Sequence, residues 1–229
     1  MQDDRHVKMS KPSSLGWMSL AAVMMLTGLA TGCRETPKTG VVRGEVLYKR
    51  CVPCHGEDGA GNPENGSPAI AGMSMWYVEA QLHKFRAGWR GGHVSDIAGL
   101  RMRPMANSLS GATPKISDDN IKAVTAYVSK MPKLNPAPVL EGGDPVAGEK
   151  LFAVCSTCHG ADAKGDLSKG APNLTHTNDW YLATQLKNFK AGIRGGNPAD
   201  TIGAQMMPMA GTLKDEQAIK DVVAYIQTL

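Results

Sequence analysis

Apolar residues fall at helical spacing in two places along this chain. Val78, Leu82 and Phe85 stand at i, i+4 and i+7, and Leu182, Leu186 and Phe189 repeat the pattern 104 residues later. Each set marks one apolar face of an α-helix. Gly88 and Gly192, just beyond, suit the left-handed residue that stops one. Asp144-Pro145 has the form of an N-cap followed by proline at the first helical position. A helix is therefore predicted to start there and run into Cys155-Ser-Thr-Cys158-His159; Thr39 is the matching candidate cap in the first half. A last helix is predicted after Ser117 in the first half and after Lys214 in the second, carrying Tyr127 or Tyr225. No alternating pattern of any length occurs, so the fold class is all-α without significant sheet.

The two helical patterns belong to an internal repeat. Residues 44–109 align with 148–213 without a gap, and 28 of the 66 positions are identical. Shared positions include Gly44/Gly148, Pro68/Pro172, Trp76/Trp180, Tyr77/Tyr181, Gln81/Gln185 and Arg90/Arg194. The first half then carries six extra residues before its last helix. Pro132, Pro136 and Pro138, running into Gly142 and Gly143, cannot continue a helix and predict an ordered, semi-stiff linker. The expected organisation is one domain over 44–131, a linker over 132–143 and a second domain over 144–229.

Residues 1–33 have the character of an export signal. Arg5, Lys8 and Lys11 precede an apolar run from Leu15 to Ala30, which is short for a membrane span. Leu29-Ala-Thr-Gly-Cys33 resembles a bacterial lipoprotein processing site, with Ala30 where leucine is preferred. Lipidation would account for Cys33, the odd one of five cysteines; ordinary cleavage nearby and an uncleaved anchor are the alternatives. Residues 34–43 are polar and are expected to form a tether. Every version places the remainder outside the cytoplasm, and attachment to the membrane by a lipid or an N-terminal segment is expected unless ordinary cleavage removes it. A formal charge of +4 is too mild to suggest a nucleic-acid partner.

The other four cysteines form Cys51-Val-Pro-Cys54-His55 and Cys155-Ser-Thr-Cys158-His159. In an exported chain this spacing is a covalent attachment site for haem c, with the histidine placed to ligate iron. Two haem c groups are expected, on Cys51 and Cys54 and on Cys155 and Cys158, with His55 and His159 as proximal ligands. A zinc site would need further ligands in each domain, and a thioredoxin-like dithiol expects surrounding strands. Small domains that are poor in aromatics, at 5%, gain a core from such a ring. Other histidines do not recur between the halves: His83 faces Lys187, His93 faces Asn197 and His176 faces Gly72. Methionines do recur. Met102 and Met105 align with Met206 and Met209, giving two distal candidates in each half.

Two CxxCH units, each followed by Trp-Tyr-x-x-x-Gln-Leu and then Met-x-Pro-Met-Ala-x-x-Leu, resemble the dihaem class I cytochromes c of the cytochrome c-four type. The resemblance covers nearly everything after residue 40. It implies two tandem cytochrome c domains, each a small helical fold around one haem, packed about a pseudo-twofold axis. In that family the axial methionine lies seven residues before the leucine leading into the last helix. This implies Met102 and Met206 as axial ligands, with Met105 and Met209 as the alternatives. It also implies that Pro68 and Pro172 offer their carbonyls to the histidine Nδ1–H. Arg90, Arg194, Trp76 and Trp180 are candidates for propionate contacts, against solvated arginines and core tryptophans. Arg101 and Arg103 flank Met102 where the second half has Gln205 and Met207; if both reach the surface, the first haem mouth favours an acidic redox partner.

An imidazole and a thioether together fill the iron's coordination, which favours single-electron transfer over catalysis. The expected partners are redox proteins of a respiratory chain: a quinol-oxidising complex, a dehydrogenase or a terminal oxidase. The alternatives are a fixed electron-transfer subunit of a larger oxidase or dehydrogenase, or a dihaem redox enzyme such as a peroxidase or sulfur-compound dehydrogenase.

Overall fold

The computed structural model describes residues 40–229. The export signal, Cys33 and the Thr39 cap lie outside these residues. Among the described residues ten α-helices follow one another: α1 (Gly40–Tyr48), α2 (Val52–His55), α3 (Met75–Arg86), α4 (Ile97–Asn107), α5 (Pro114–Lys130), α6 (Pro145–His159), α7 (Asp179–Lys190), α8 (Thr201–Ala204), α9 (Met206–Gly211) and α10 (Glu216–Ile226). Among the described residues the only β-pairing is two isolated bridges, Asn62 with Ser67 and Asp166 with Ala171. The fold is all-α.

Helix boundaries follow local chemistry. Asp144 caps α6 by accepting a hydrogen bond from the Val146 N–H, with Pro145 at the first turn. Gly88 and Gly192 adopt φ of 76° and 69°, just past the ends of α3 and α7. The last helix of the first half begins earlier than Ser117. Thr113 accepts from the Ile116 N–H and Pro114 opens α5, the same cap-then-proline pattern as Asp144-Pro145. The first helix also begins inside the stretch expected as tether. Arg43 donates from Nε and Nη2 to Asn120 Oδ1 of α5, at 3.3 and 3.1 Å, which draws α1 onto the domain.

In each half the first helix crosses the last at a glycine. A Cβ at Gly44 would stand 2.0 Å from Ala123 O, and one at Gly148 2.0 Å from Asp221 O. Hydrogen suffices there, so the backbones touch. Around the first crossing Leu47, Tyr48, Leu82, Phe85, Ile121 and Val124 form one core. Around the second, Phe152, Leu182, Leu213, Ile219, Val222 and Val223 form another. Burying this many aliphatic side chains, at roughly 1.5–3 kcal/mol each, is the main stabilising contribution of the polypeptide.

The linker is fastened rather than free. Buried Asp179 accepts from the Val139 and Leu140 N–H groups through Oδ2, at 2.6 and 2.5 Å. Asp221 accepts from the Asp144 N–H at 2.8 Å and holds the entrance to α6.

Candidate haem sites and the contact between the repeats

Each attachment motif ends on the last residue of a helix, so its histidine is placed by helix geometry. His55 closes α2 and His159 closes α6, and both are buried. Each imidazole points Nδ1 at a proline carbonyl: His55 to Pro68 O at 2.9 Å and His159 to Pro172 O at 2.8 Å. That bond assigns the proton to Nδ1 and leaves Nε2 with a lone pair. Burial lowers the pKa of both rings, and the carbonyl bond only partly opposes it. Both therefore favour the neutral form a metal needs.

None of the four motif cysteines is paired in a disulfide; Cys54 is exposed and Cys51, Cys155 and Cys158 are half-buried. Burial pushes the Cys51 thiol up to about 11 and raises Cys155 as well. Among the described residues no cluster of three His, Cys, Asp or Glu side chains is arranged to hold a bare metal ion.

In the second half a cavity of about 370 Å³ is lined by Cys155, Cys158, His159, Met206 and Met209, so both candidate methionines face the same space. In the first half Met102 packs against the core cluster that includes Leu82 and Leu109. Met102 lies within α4 and Met206 opens α9; the equivalent paths differ in that Gln205 interrupts the helix of the second half. Asp96 and Asp200 cap these helices, accepting from the Gly99 and Gly203 N–H groups at 2.9 and 2.8 Å. Arg101 is exposed and donates to Asn65 O at 2.8 Å. Arg103 does not reach out in the same way: it is half-buried, with Nη1 directed at Gly91 O at 3.4 Å.

Trp76, Tyr77, Gln81 and Lys84, all from α3 of the first half, line the cavity of the second. Trp76 thus faces the opposite repeat's site, and both tryptophans stack edge-on against the following tyrosine, Tyr77 or Tyr181.

Arg90 and Arg194 are buried at the contact between the halves. Arg90 donates to Gln81 Oε1 at 2.9 Å, and to Gln185 Oε1 and the Tyr181 hydroxyl at 3.2 Å. Arg194 mirrors it, donating to Gln185 Oε1 at 2.8 Å, Gln81 Oε1 at 3.1 Å and the Tyr77 hydroxyl at 3.2 Å. Each guanidinium also lies over a phenyl ring, Phe85 or Phe189, at 4.2 and 4.5 Å. Burial would raise the Tyr77 phenol's pKa, but Arg194 and Arg90 beside it pull it down. The network's hydrogen-bond acceptors are all neutral, nearby buried Asp200 is already paired with Lys84, and Arg90 Nε is buried without a partner. A buried cation requires an anion. A porphyrin's propionates would supply that charge, so these residues fit the group that the cysteines would bind.

The cytochrome c family model matches residues 41–132 and again 145–229. The chain belongs to the cytochrome c family. This cytochrome holds two covalently bound haem c groups. It is 34% identical over 158 residues to a thiosulfate dehydrogenase electron acceptor of Thiomonas intermedia, covering 65% of this chain and 66% of that protein. It is 29% identical over 227 residues to the cbb3-type cytochrome c oxidase subunit FixP of Bradyrhizobium diazoefficiens, covering 97% of this chain and 70% of that one. Among solved structures it resembles reduced cytochrome c4 from Pseudomonas stutzeri, with a TM-score of 0.63, 27% identity, and coverage of 83% of this chain and 99% of that one. The matching cytochrome c4 fold accords with two tandem helical domains.

Proposed function

We propose that this dihaem cytochrome passes single electrons between respiratory-chain proteins on the outer side of a bacterial cytoplasmic membrane. When bound, each haem c supplies a one-electron Fe(III)/Fe(II) couple. The polypeptide supplies the rest. His55 and His159 are the proximal ligands, fixed by Pro68 and Pro172; Met102 and Met206 are the distal ligands, with Met105 and Met209 lining. Filling both axial positions leaves no place for a substrate, which argues for transfer and against catalysis. Arg90 and Arg194 neutralise propionate charge where the two halves meet.

The observation that carries this reading is the duplicated proximal unit, a buried neutral imidazole held by a proline carbonyl at 2.8–2.9 Å in both repeats. A spectroelectrochemical titration of the purified protein under carbon monoxide tests it. Two low-spin haems that each take one electron and bind no carbon monoxide are expected. A high-spin or readily carbonylated centre would favour an enzyme instead.

A second reading makes the chain a fixed subunit of a larger oxidase or dehydrogenase, and the likeness to FixP favours it. Attachment through Cys33 is compatible with both. No described helix is long and apolar enough to cross a membrane. Copurification with an oxidase after mild detergent extraction separates a subunit from a shuttle.

A further inference from the structure

The peptide group joining Pro68 to Ala69 is engaged at both ends. Its carbonyl accepts from His55 Nδ1 at 2.9 Å. Its N–H, buried with Ala69, donates to Asn178 Oδ1 at 2.6 Å. Asn178 belongs to the other repeat. It stands at the N-cap position of α7 without capping that helix, and it is itself buried. The side chain expected to satisfy its own helix is turned across the domain boundary.

The arrangement is one-sided. In the second half Pro172 O accepts from His159 at 2.8 Å, but the Asn173 N–H that follows donates no hydrogen bond among the described residues. The residue that could reciprocate is Ser74, the counterpart of Asn178, and it is exposed.

We propose that Asn178 is a positioning residue for the first haem, acting on His55 through the Pro68–Ala69 peptide; this rests on His55 being the proximal ligand. The peptide C–N bond shares electrons with the carbonyl. An acceptor on the N–H shifts density onto the oxygen, and hydrogen bonds in such a chain strengthen one another. Pro68 O then draws the imidazole proton more strongly, and the ring becomes the better donor to iron. A more basic imidazole favours Fe(III) and lowers the reduction potential. The second repeat thereby sets the electron affinity of the first haem, with no equivalent effect in return.

The test uses the full dihaem protein. In the reduced, diamagnetic form, Asn178→Ala is expected to move the Ala69 amide proton and the His55 ring N–H resonance to higher field. The first haem's potential should rise while the second holds. Asn178→Asp keeps an acceptor and is expected to shift all three the opposite way, and it serves if the alanine variant folds poorly. A loss of packing alone would not change sign between the two variants. An unmoved His55 ring resonance, in variants that keep both haems low-spin, overturns the inference and leaves the ligation intact. Wild-type protein in which His55 shows no ring-current shift from a bound haem overturns both.

Discussion

Lys84 Nζ lies 2.6 Å from Asp200 Oδ1 across the boundary between the repeats, with 14% and 2% of the two side chains exposed. Asp200 also accepts from the Gly203 N–H and so caps the helix leading toward Met206. The equivalent of Lys84 in the second half is Asn188, so Asp96 has no such cation facing it from there. Replacing Lys84 by methionine strands a buried carboxylate. Removing one partner of a buried pair costs about 3 kcal/mol, and a lower urea midpoint of the holoprotein is the expected result.

Arg90 adds a buried positive charge at the junction. Positive charge favours the reduced state, so Arg90→Gln should lower the potentials, read by redox titration. Arg90→Lys keeps the charge but loses the fork that reaches Gln81, Gln185 and Tyr181 together. It should alter the potentials less while still loosening the contact between the halves, seen as faster protease cleavage in the linker.

The two methionines of each half can be told apart. Met102→Ala should open the first iron to carbon monoxide and remove its share of the low-spin spectrum. Met105→Ala should leave both unchanged, because a lining thioether contributes packing only. The reverse result would exchange their roles.

Alanine at Gly44 or Gly148 would collide with a backbone carbonyl 2.0 Å away. Backbone cannot step aside as a flexible side chain can, so the cost should lie near the upper end of overpacking penalties, about 3 kcal/mol. Thermal unfolding monitored by far-ultraviolet circular dichroism measures it.

The depressed pKa values of His55 and His159 fix the direction of one pH effect. Below the ordinary imidazole value of about 6.5 the unfolded chain binds protons that the folded chain refuses. The stabilisation is thus fully present above about pH 6.5 and is lost as pH falls through the lower folded values. Iron ligation acts in the same direction. The low-spin spectrum should be flat from pH 8 to 6.5 and collapse only well below it.

Local features were readable from the sequence, for stated reasons. The CxxCH motifs, the Asp144-Pro145 start and the Gly88 and Gly192 stops each depend on residues a few positions apart. The all-α class follows from apolar spacing. The start of α5 was equally local: Thr113-Pro114 repeats the cap-proline pattern, yet the expected start at Ser117 lies further along. The partners that Arg90 and Arg194 find across the contact were of another kind, since those bonds span 91 to 117 residues and join different halves. A signal did exist. Tyr77, Gln81 and Arg90 are polar identities shared by both repeats, where a solvated face would be free to diverge. Asn178 and Lys84 gave no such signal, because each acts where the repeat departs from its own symmetry.

Because each half carries both the guanidinium donors and the amide and phenol acceptors of the central network, the face is complementary to itself. A half-length chain bearing it could hide its arginine only by pairing with an identical copy, an isologous dimer. Tandem fusion turns that concentration-dependent pairing into a permanent one. It also frees the two copies to diverge, as they have at Asn178 and Lys84, so that one former protomer acts on the other.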